Sequence, residues 1–322
     1  MTKPLYSWQK HNWNILTQDQ NRAIPQALLL WGPKGLGQHH FAEALSTWLL
    51  CESPTNTFGQ ESACGNCSAC QWIAAGTHPD RLILTPESDN STIKVDAVRE
   101  IRAFSEQTSH GGKHRIILIS PVEAMNLSAA NALLKILEEP FDDCIFLLVS
   151  YHLSWVLPTI RSRCQKMYFP PLSAEDYNKI MVERKCPHAF IPKLYQLSHG
   201  APLAFETEQE AIISAQEKIT SLMSALEMKQ MNSLEAANQV KVIEKETSID
   251  FKYLLDILLN YTYQKILQSY LDKQLASSLD SEQRERRYHF YDTLLNMKKY
   301  LKAGNNLNQV IELENLFLMG TL

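Results

Sequence analysis

Short apolar runs alternate with stretches of helical spacing over the first half of the chain, and that alternation sets the fold class. Leu28-Leu29-Leu30-Trp31 lies in a strand predicted at 27–31, and further strands are predicted at 81–85, 115–120 and 145–150. The segments Arg115-Ile116-Ile117-Leu118-Ile119-Ser120 and Ile145-Phe146-Leu147-Leu148-Val149-Ser150 are almost continuously apolar. Strands covered on both faces of a parallel sheet look like this, because neither face meets water. Helical spacing between the strands predicts helices at 38–50, 94–107 and 126–138. Ser128 is placed to cap the last of these and Pro140 to end it. Gly111-Gly112 punctuates the loop before the third strand. Such alternation, from residue 1 to about 168, implies a parallel sheet with helices on both faces.

The pattern changes at Pro170-Pro171. Short helices are predicted at 173–184, 189–197 and 202–207, and beyond 208 no segment has strand character. Helical periodicity recurs at 209–226, 232–244, 249–276, 281–302 and 305–318. Phe251, Leu254, Leu255, Leu258, Leu259, Tyr261 and Ile266 suit a helix buried over a wide face. The last helix carries Leu307, Val310, Ile311, Leu313, Leu316 and Leu318. No internal repeat or low-complexity tract interrupts this order.

Composition narrows the function classes. The chain has 322 residues, enough for two or three domains, with 45% hydrophobic and 20% charged residues, which is a globular composition. A net charge of −4 argues against a protein that coats DNA. The first residues, MTKPLYSWQKHNW, lack an apolar signal region, and no run approaches the ~18 apolar residues of a membrane span. The expected location is the cytoplasm, away from membranes.

Candidate chemistry begins where the first strand ends. Gly32-Pro33-Lys34-Gly35-Leu36-Gly37-Gln38-His39 has the glycine spacing of a phosphate-binding Walker A loop, G-x-x-x-x-G-K-[ST], between a strand and a helix. Gln38 stands in place of the lysine that reaches the β- and γ-phosphates, and His39 in place of the hydroxyl that holds Mg²⁺. Lys34 sits four residues too early to substitute. Pro121 follows the strand at 115–120, where a metal-organising aspartate is expected, and Glu123 two residues later has little left to activate. The loop is expected to be inactive in hydrolysis.

Four of the seven cysteines are bunched as Cys51-x12-Cys64-x2-Cys67-x2-Cys70. Four thiolates at C-x2-C spacing suit a tetrahedral zinc ion with no open position, hence a structural one. A redox C-x-x-C pair and an iron–sulfur cluster are the rival readings, but Gln71 and Trp72 do not supply the downstream Cys-Pro of a ferredoxin run. Cys144 and Cys186 read as small buried thiols. His39, His40, His110 and His114 show no ligand spacing with a carboxylate and read as loop or surface histidines.

Asn126-Leu127-Ser128-Ala129-Ala130-Asn131-Ala132-Leu133-Leu134-Lys135-Ile136-Leu137-Glu138-Glu139-Pro140 resembles the A-A-N-A-L-L-K-x-L-E-E-P segment of clamp-loader ATPases of the AAA+ class. Ser162-Arg163-Cys164 is similar to the S-R-C motif of the same family, and the cysteine insertion resembles its zinc module. Gly76-Thr77-His78-Pro79-Asp80 and Ile93-Lys94-Val95-Asp96 agree with it. In Gly200-Ala201-Pro202-Leu203-Ala204, Leu203 stands where active relatives carry a sensor arginine. The specific motifs cover about 1–207; the rest agrees through helical character and the stretch from Asn306 to Glu312.

The resemblance implies a RecA-like AAA+ domain with parallel sheet at 1–168, with its zinc module at 51–70. A small helical lid domain at 169–207 and an all-α collar domain at 208–322 follow. It implies a catalytically inert stator subunit of the bacterial DNA polymerase III clamp loader. Its partners are then gamma/tau ATPase subunits and the delta subunit, with the sliding clamp and primed DNA reached through the complex. Arg163 becomes a finger for a neighbour's ATP, positioned by Ser162, while Gly32, Gly35, Gly37, Gln38 and His39 form a degenerate loop. Two other readings remain open: an active DNA-dependent AAA+ ATPase with an unusual loop, and a zinc-dependent nucleic-acid-binding adaptor.

Overall fold

The computed structural model describes residues 5–17, 24–57, 60–88, 91–106, 109–110, 114–141, 143–205, 208–271, 281–302 and 308–319. The chain divides into two compact units, Met1–Ser173 and Ala174–Leu322.

The first unit is built on a five-stranded parallel sheet. Its strands are β1 (Ala27–Trp31), β4 (Arg81–Leu84), β5 (Arg115–Ile119), β6 (Cys144–Ser150) and β7 (Gln165–Tyr168), in the order β4-β5-β6-β1-β7. This is the parallel α/β architecture expected of a RecA-like AAA+ core. Leu28, Leu29 and Leu30 are fully buried, as are all seven residues of β6, which is why both strands read as unbroken apolar runs. Helices α2 (Gln38–Leu50), α4 (Val95–Ser105), α5 (Leu127–Glu138) and α6 (Pro158–Arg163) connect the strands. Leu29, Ile117, Ile119, Phe146 and Leu148 share one core with Val98 and Ile101 of α4, Ala129, Ala130 and Leu133 of α5, and Ile160 of α6. Helix α2 packs on β1, β5 and β6. Alternating strand residues face the two helix layers.

The predicted strands and helices of this unit lie within a residue or two of the observed ones, with residue 107 and Gly111-Gly112 outside the described residues. One strand escaped the sequence pattern. β7 is a short edge strand in which only Met167 is buried, so Gln165-Lys166-Met167-Tyr168 has no apolar run to announce it. Helix α1 (Lys10–Thr17), the 3-10 turn Ser7–Gln9 before it and a small hairpin, β2 (Thr55–Thr57) with β3 (Gln60–Ser62), also lacked a pattern. The cap of α5 differs too. Asn126, not Ser128, is the N-cap, and its Oδ1 accepts a hydrogen bond from the Ala129 amide at 2.8 Å. Ser128 already lies inside the helix and is exposed.

The second unit is helical throughout its described residues. Its helices are α7 (Ala174–Glu183), α8 (Ile191–Ser198), α9 (Gln209–Glu227), α10 (Ser233–Thr247), α11 (Phe251–Leu271), α12 (Ser281–Lys302) and α13 (Gln309–Leu318). Residues 202–205 form a turn rather than the start of the helix predicted at 202–207, because Pro202 cannot extend α8 and the chain has already turned at His199, with φ of 50°. Residues 206–207, 272–276 and 305–307, including Leu307, lie outside the described residues. Helix α11 buries Phe251, Leu254, Leu255, Leu258, Leu259 and Ile266, packing on α8, α9 and α12. Helix α10 starts with a reciprocal capping box between Asn232 and Glu235.

The corrected cap of α5 is directly testable. Asn126→Ala is expected to lower stability by about 1 kcal/mol, whereas Ser128→Ala at an exposed helical position is neutral or slightly stabilising. Urea unfolding midpoints of the two variants check the difference. Equal losses would return the cap to Ser128.

Candidate functional site

The phosphate loop lies where the sheet's strand order reverses, at the carboxyl end of β1 between β6 and β7, which is where open α/β sheets place ligands. Gly32 donates its amide to the Ser150 carbonyl at 3.2 Å as the chain leaves the sheet. A Cβ at Gly32 would stand 2.3 Å from the Phe169 carbonyl oxygen, so no larger residue fits beside the chain leaving β7. Gly37 has a φ of +79°, and a Cβ there would meet Gln9 Nε2 at 2.7 Å.

Gln38 opens α2 and is completely buried. Its Nε2 donates to the Pro33 carbonyl at 2.8 Å, closing the loop on itself. That bond fixes the amide's orientation and leaves Oε1 buried, with no hydrogen-bond partner among the described residues. The position of the phosphate lysine therefore offers a lone pair rather than a cation. His39 turns along α2 towards Glu43 at 3.8 Å, and Glu43 lies 3.6 Å from Arg81. Burial pushes the His39 imidazole below its usual range, the Glu43 carboxylate opposing and Arg81 reinforcing the shift. Neither residue supplies the metal-binding hydroxyl.

The other side of the loop is fastened by the amino-terminal segment. Trp8 Nε1 and Gln9 Nε2 both donate to the Leu36 carbonyl at 3.0 Å, and Gln9 Nε2 also reaches the Gly37 carbonyl at 2.8 Å. Tyr6 stacks on Trp8, with ring centroids 4.6 Å apart, and leans on His40 at 4.9 Å. Sequence reading missed Tyr6, Trp8 and Gln9. The signal was a polar residue, Gln9, that the fold buries completely. Glu123 is equally committed, its Oε1 accepting from the Tyr151 amide at 2.9 Å and the His152 amide at 3.1 Å beyond β6. Pro121 brings no carboxylate to the end of β5.

Arg163 occupies the last turn of α6, just before β7. Gln165 pairs with Leu28 and Tyr168 with Trp31, so Arg163 lies at the amino-terminal end of these strands and the phosphate loop at their carboxyl end. At least ~10 Å of strand separates the two. Arg163 is exposed beside a cavity of about 190 Å³ lined by Gln26, Leu137, Pro140 and Phe146. Its Nη1 donates to the Thr159 carbonyl at 3.0 Å, and its Nη2 pairs with Glu138 at 2.5 Å. Ser162 Oγ donates to the same Thr159 carbonyl at 3.0 Å. Cys164 is buried in the core, which pushes its thiol up to about 11 and makes it a packing residue. Leu203 belongs to the second unit, in the turn after α8.

The cysteine cluster is assembled from three elements. Cys51 ends α2, Cys64 follows β3, Cys67 caps helix α3 (Ser68–Ala74), and Cys70 lies in its first turn. All four sulfurs lie within 4.8 Å of one another, with Cys51 Sγ 3.6 Å from Cys64 Sγ and 3.8 Å from Cys67 Sγ. Thiolates bound tetrahedrally at ~2.3 Å are about 3.8 Å apart, and a disulfide is much closer, at about 2 Å. All seven cysteines are free thiols. The Asn66 and Cys67 amides donate to Cys64 Sγ and pull its thiol down to about 6, whereas burial pushes Cys51 and Cys70 up. A cation among the sulfurs would relieve that cost. Trp13 Nε1 anchors the hairpin by donating to the Glu61 carbonyl at 2.8 Å, and Glu52 Oε1 accepts from Ser68 Oγ and the Ala69 amide. These anchors were not visible in the cysteine spacing.

Comparison with known proteins follows the same outline. The family model described as DNA polymerase III, delta subunit, matches residues 8–173. A Pseudomonas aeruginosa protein named DNA polymerase III subunit delta' is 41% identical over 203 residues, 62% of this chain and 60% of that protein. The Escherichia coli protein of the same name is 38% identical over 145 residues, 45% of this chain and 42% of that one. The Bacillus subtilis one is 30% identical over 177 residues, covering 55% and 51%. The chain thus spans between about two fifths and three fifths of the length of these relatives. Among solved structures, a gamma subunit-related protein from Thermotoga maritima aligns over 96% of this chain and 97% of its own, at 17% identity and a TM-score of 0.46. On the matched half of its length, and with relatives that share one name, the chain belongs to the DNA polymerase III delta-subunit family, among the proteins named subunit delta'.

Proposed function

We propose that this chain is a non-hydrolysing stator subunit of the DNA polymerase III clamp loader, one that lends Arg163 to the ATP site of a neighbouring subunit. The observation that carries the reading is the placement of Arg163 and the chain's own phosphate loop at opposite ends of β1 and β7. An arginine there cannot serve its own loop, and the loop is filled by Gln38 and fastened by Gln9. A guanidinium supplied in trans stabilises charge developing on the transferred phosphoryl group. The partners on this reading are gamma/tau ATPase subunits and the delta subunit, acting in the cytoplasm on the sliding clamp and primed DNA. The first domain at 1–168 then carries the finger, and the lid at 169–207 and collar at 208–322 serve assembly.

Zinc is the metal this reading assigns to Cys51, Cys64, Cys67 and Cys70. Four thiolates and no open coordination position give it a structural task, holding an insertion too small to build its own core. The purified chain is expected to carry one zinc. Cys67→Ser should reduce zinc content and loosen the insertion while the sheet stays folded. Elemental analysis with circular dichroism checks both, and iron in place of zinc would count against the assignment.

The isolated chain is expected to show no ATP turnover above background. Gln38→Lys combined with His39→Thr should not restore it, because Pro121 still leaves the metal without its carboxylate. Steady hydrolysis by the wild-type chain, lost on a change at Gly37, would favour the active-ATPase reading.

Arg163→Ala should leave folding and ring assembly intact but slow hydrolysis at the facing site by ~10³ or more. Arg163→Lys should rescue poorly, since a point charge lacks the planar fork of guanidinium. Clamp- and DNA-stimulated ATPase rates of reconstituted rings measure this. Equal rates with wild-type and Arg163→Ala chains would remove the finger from the mechanism.

A further inference from the structure

The structure assigns Glu138 as a latch on Arg163, a positioning residue that holds the guanidinium against its own chain until a phosphate displaces it; the inference rests on the finger reading above. Glu138 is the last residue of α5, and Arg163 the last of α6. A carboxylate at a helix carboxyl terminus opposes the helix dipole, whereas a cation there is favoured. A neighbouring positive charge offsets that effect, and Arg163 Nη2 provides it. The other terminal nitrogen, Nη1, is held by the Thr159 carbonyl, the same carbonyl that Ser162 Oγ engages. Both terminal nitrogens thus have a partner on their own chain. These bonds use two of the five guanidinium N–H groups and fix where the group sits, so a finger that swings out to a neighbour's γ-phosphate has to release them.

The strength of the latch follows from its exposure. The Arg163 and Glu138 side chains are 35% and 44% exposed. Ion pairs in that setting are worth about 0.2–1 kcal/mol, which leaves the guanidinium detached about 15–40% of the time. A finger competent for only that fraction engages its target about two- to sixfold more weakly than an unlatched one. The latch is thus weak enough for a phosphate to open, yet it neutralises an exposed arginine in the unassembled chain. Glu138 and Arg163 are 25 positions apart in sequence, and their ion pair links the A-A-N-A-L-L-K-x-L-E-E-P segment to the S-R-C segment, which also share the core beneath them.

Glu138→Gln removes the charge at the helix end where it is disfavoured, so this variant is expected to fold with an unfolding midpoint no lower than wild type. Two measurements test the latch. In the isolated full chain, modification of Arg163 by phenylglyoxal, followed by peptide mass spectrometry, is expected to accelerate about two- to sixfold in Glu138→Gln. Arg102, paired with Glu106, serves as the internal control and should not change. In rings reconstituted with the partner ATPase subunits, Glu138→Gln is expected to raise the stimulated ATPase rate at sub-saturating ATP by a similar factor. The gain should vanish in Glu138→Gln with Arg163→Ala. An unchanged modification rate at Arg163 overturns the latch even if Arg163→Ala rings are slow and the finger stands. Slower rings with Glu138→Gln also overturn it, since Glu138 would then brace the finger rather than restrain it. A gain that persists without Arg163 overturns it as well. If Arg163→Ala rings match wild type, the finger fails and the latch has no task.

Discussion

All five strands of the sheet point the same way, and this shared polarity decides what each end of the first unit can do. The carboxyl ends of β1, β5 and β6 converge on the phosphate loop, Pro121 and Glu123, while the turn that ends α6 delivers Arg163 to the other rim. A side chain cannot cross a buried strand to change ends. Loss of the lysine, hydroxyl and carboxylate at one rim thus leaves the arginine at the other untouched. The burial of Leu28, Leu29, Leu30 and β6 holds this geometry in place, because both faces of these strands are covered by helices and neither can turn to water.

Much of this was legible along the chain, for physical reasons that differ from element to element. β1 and α2 announced themselves because a buried strand must be apolar and a tight phosphate-type loop must be glycine-rich. The four cysteines announced themselves because thiol ligands have no cheaper reason to cluster. What stayed hidden were interactions between polar residues far apart in sequence. Gln9 looks like a surface glutamine, yet it is buried to satisfy two loop carbonyls. Trp13 ties α1 to the hairpin through one indole N–H. β7 was hidden because an edge strand needs only one buried side chain, Met167. The cap of α5 was misread by two positions because Asn126 and Ser128 are both good caps, and backbone geometry alone chooses between them.

The cysteine insertion and the sheet are stabilised by different means. The sheet excludes water from large aliphatic side chains and needs nothing else. The insertion has a short hairpin, one short helix and few buried apolar residues, chiefly Ala69 and Ile73. Its order rests on directional contacts: sulfurs within reach of one another, amides aimed at Cys64, and Glu52 at the start of α3. With the proposed zinc bound, such a module is open to chelation and oxidation in a way that the sheet beside it is not.

The glutamine inside the phosphate loop has a thermodynamic consequence of its own. A working phosphate loop is linked to its nucleotide: the folded state is stabilised according to how much ligand is present, so the protein's stability rises and falls with the supply. Gln38 is part of the chain, and its bond to the Pro33 carbonyl closes the loop without drawing on any nucleotide supply. On the proposed reading, the first domain of such a subunit takes no stability from a nucleotide in its own loop. The neighbouring subunits gain and lose ligand, while on that reading this subunit's own loop does neither.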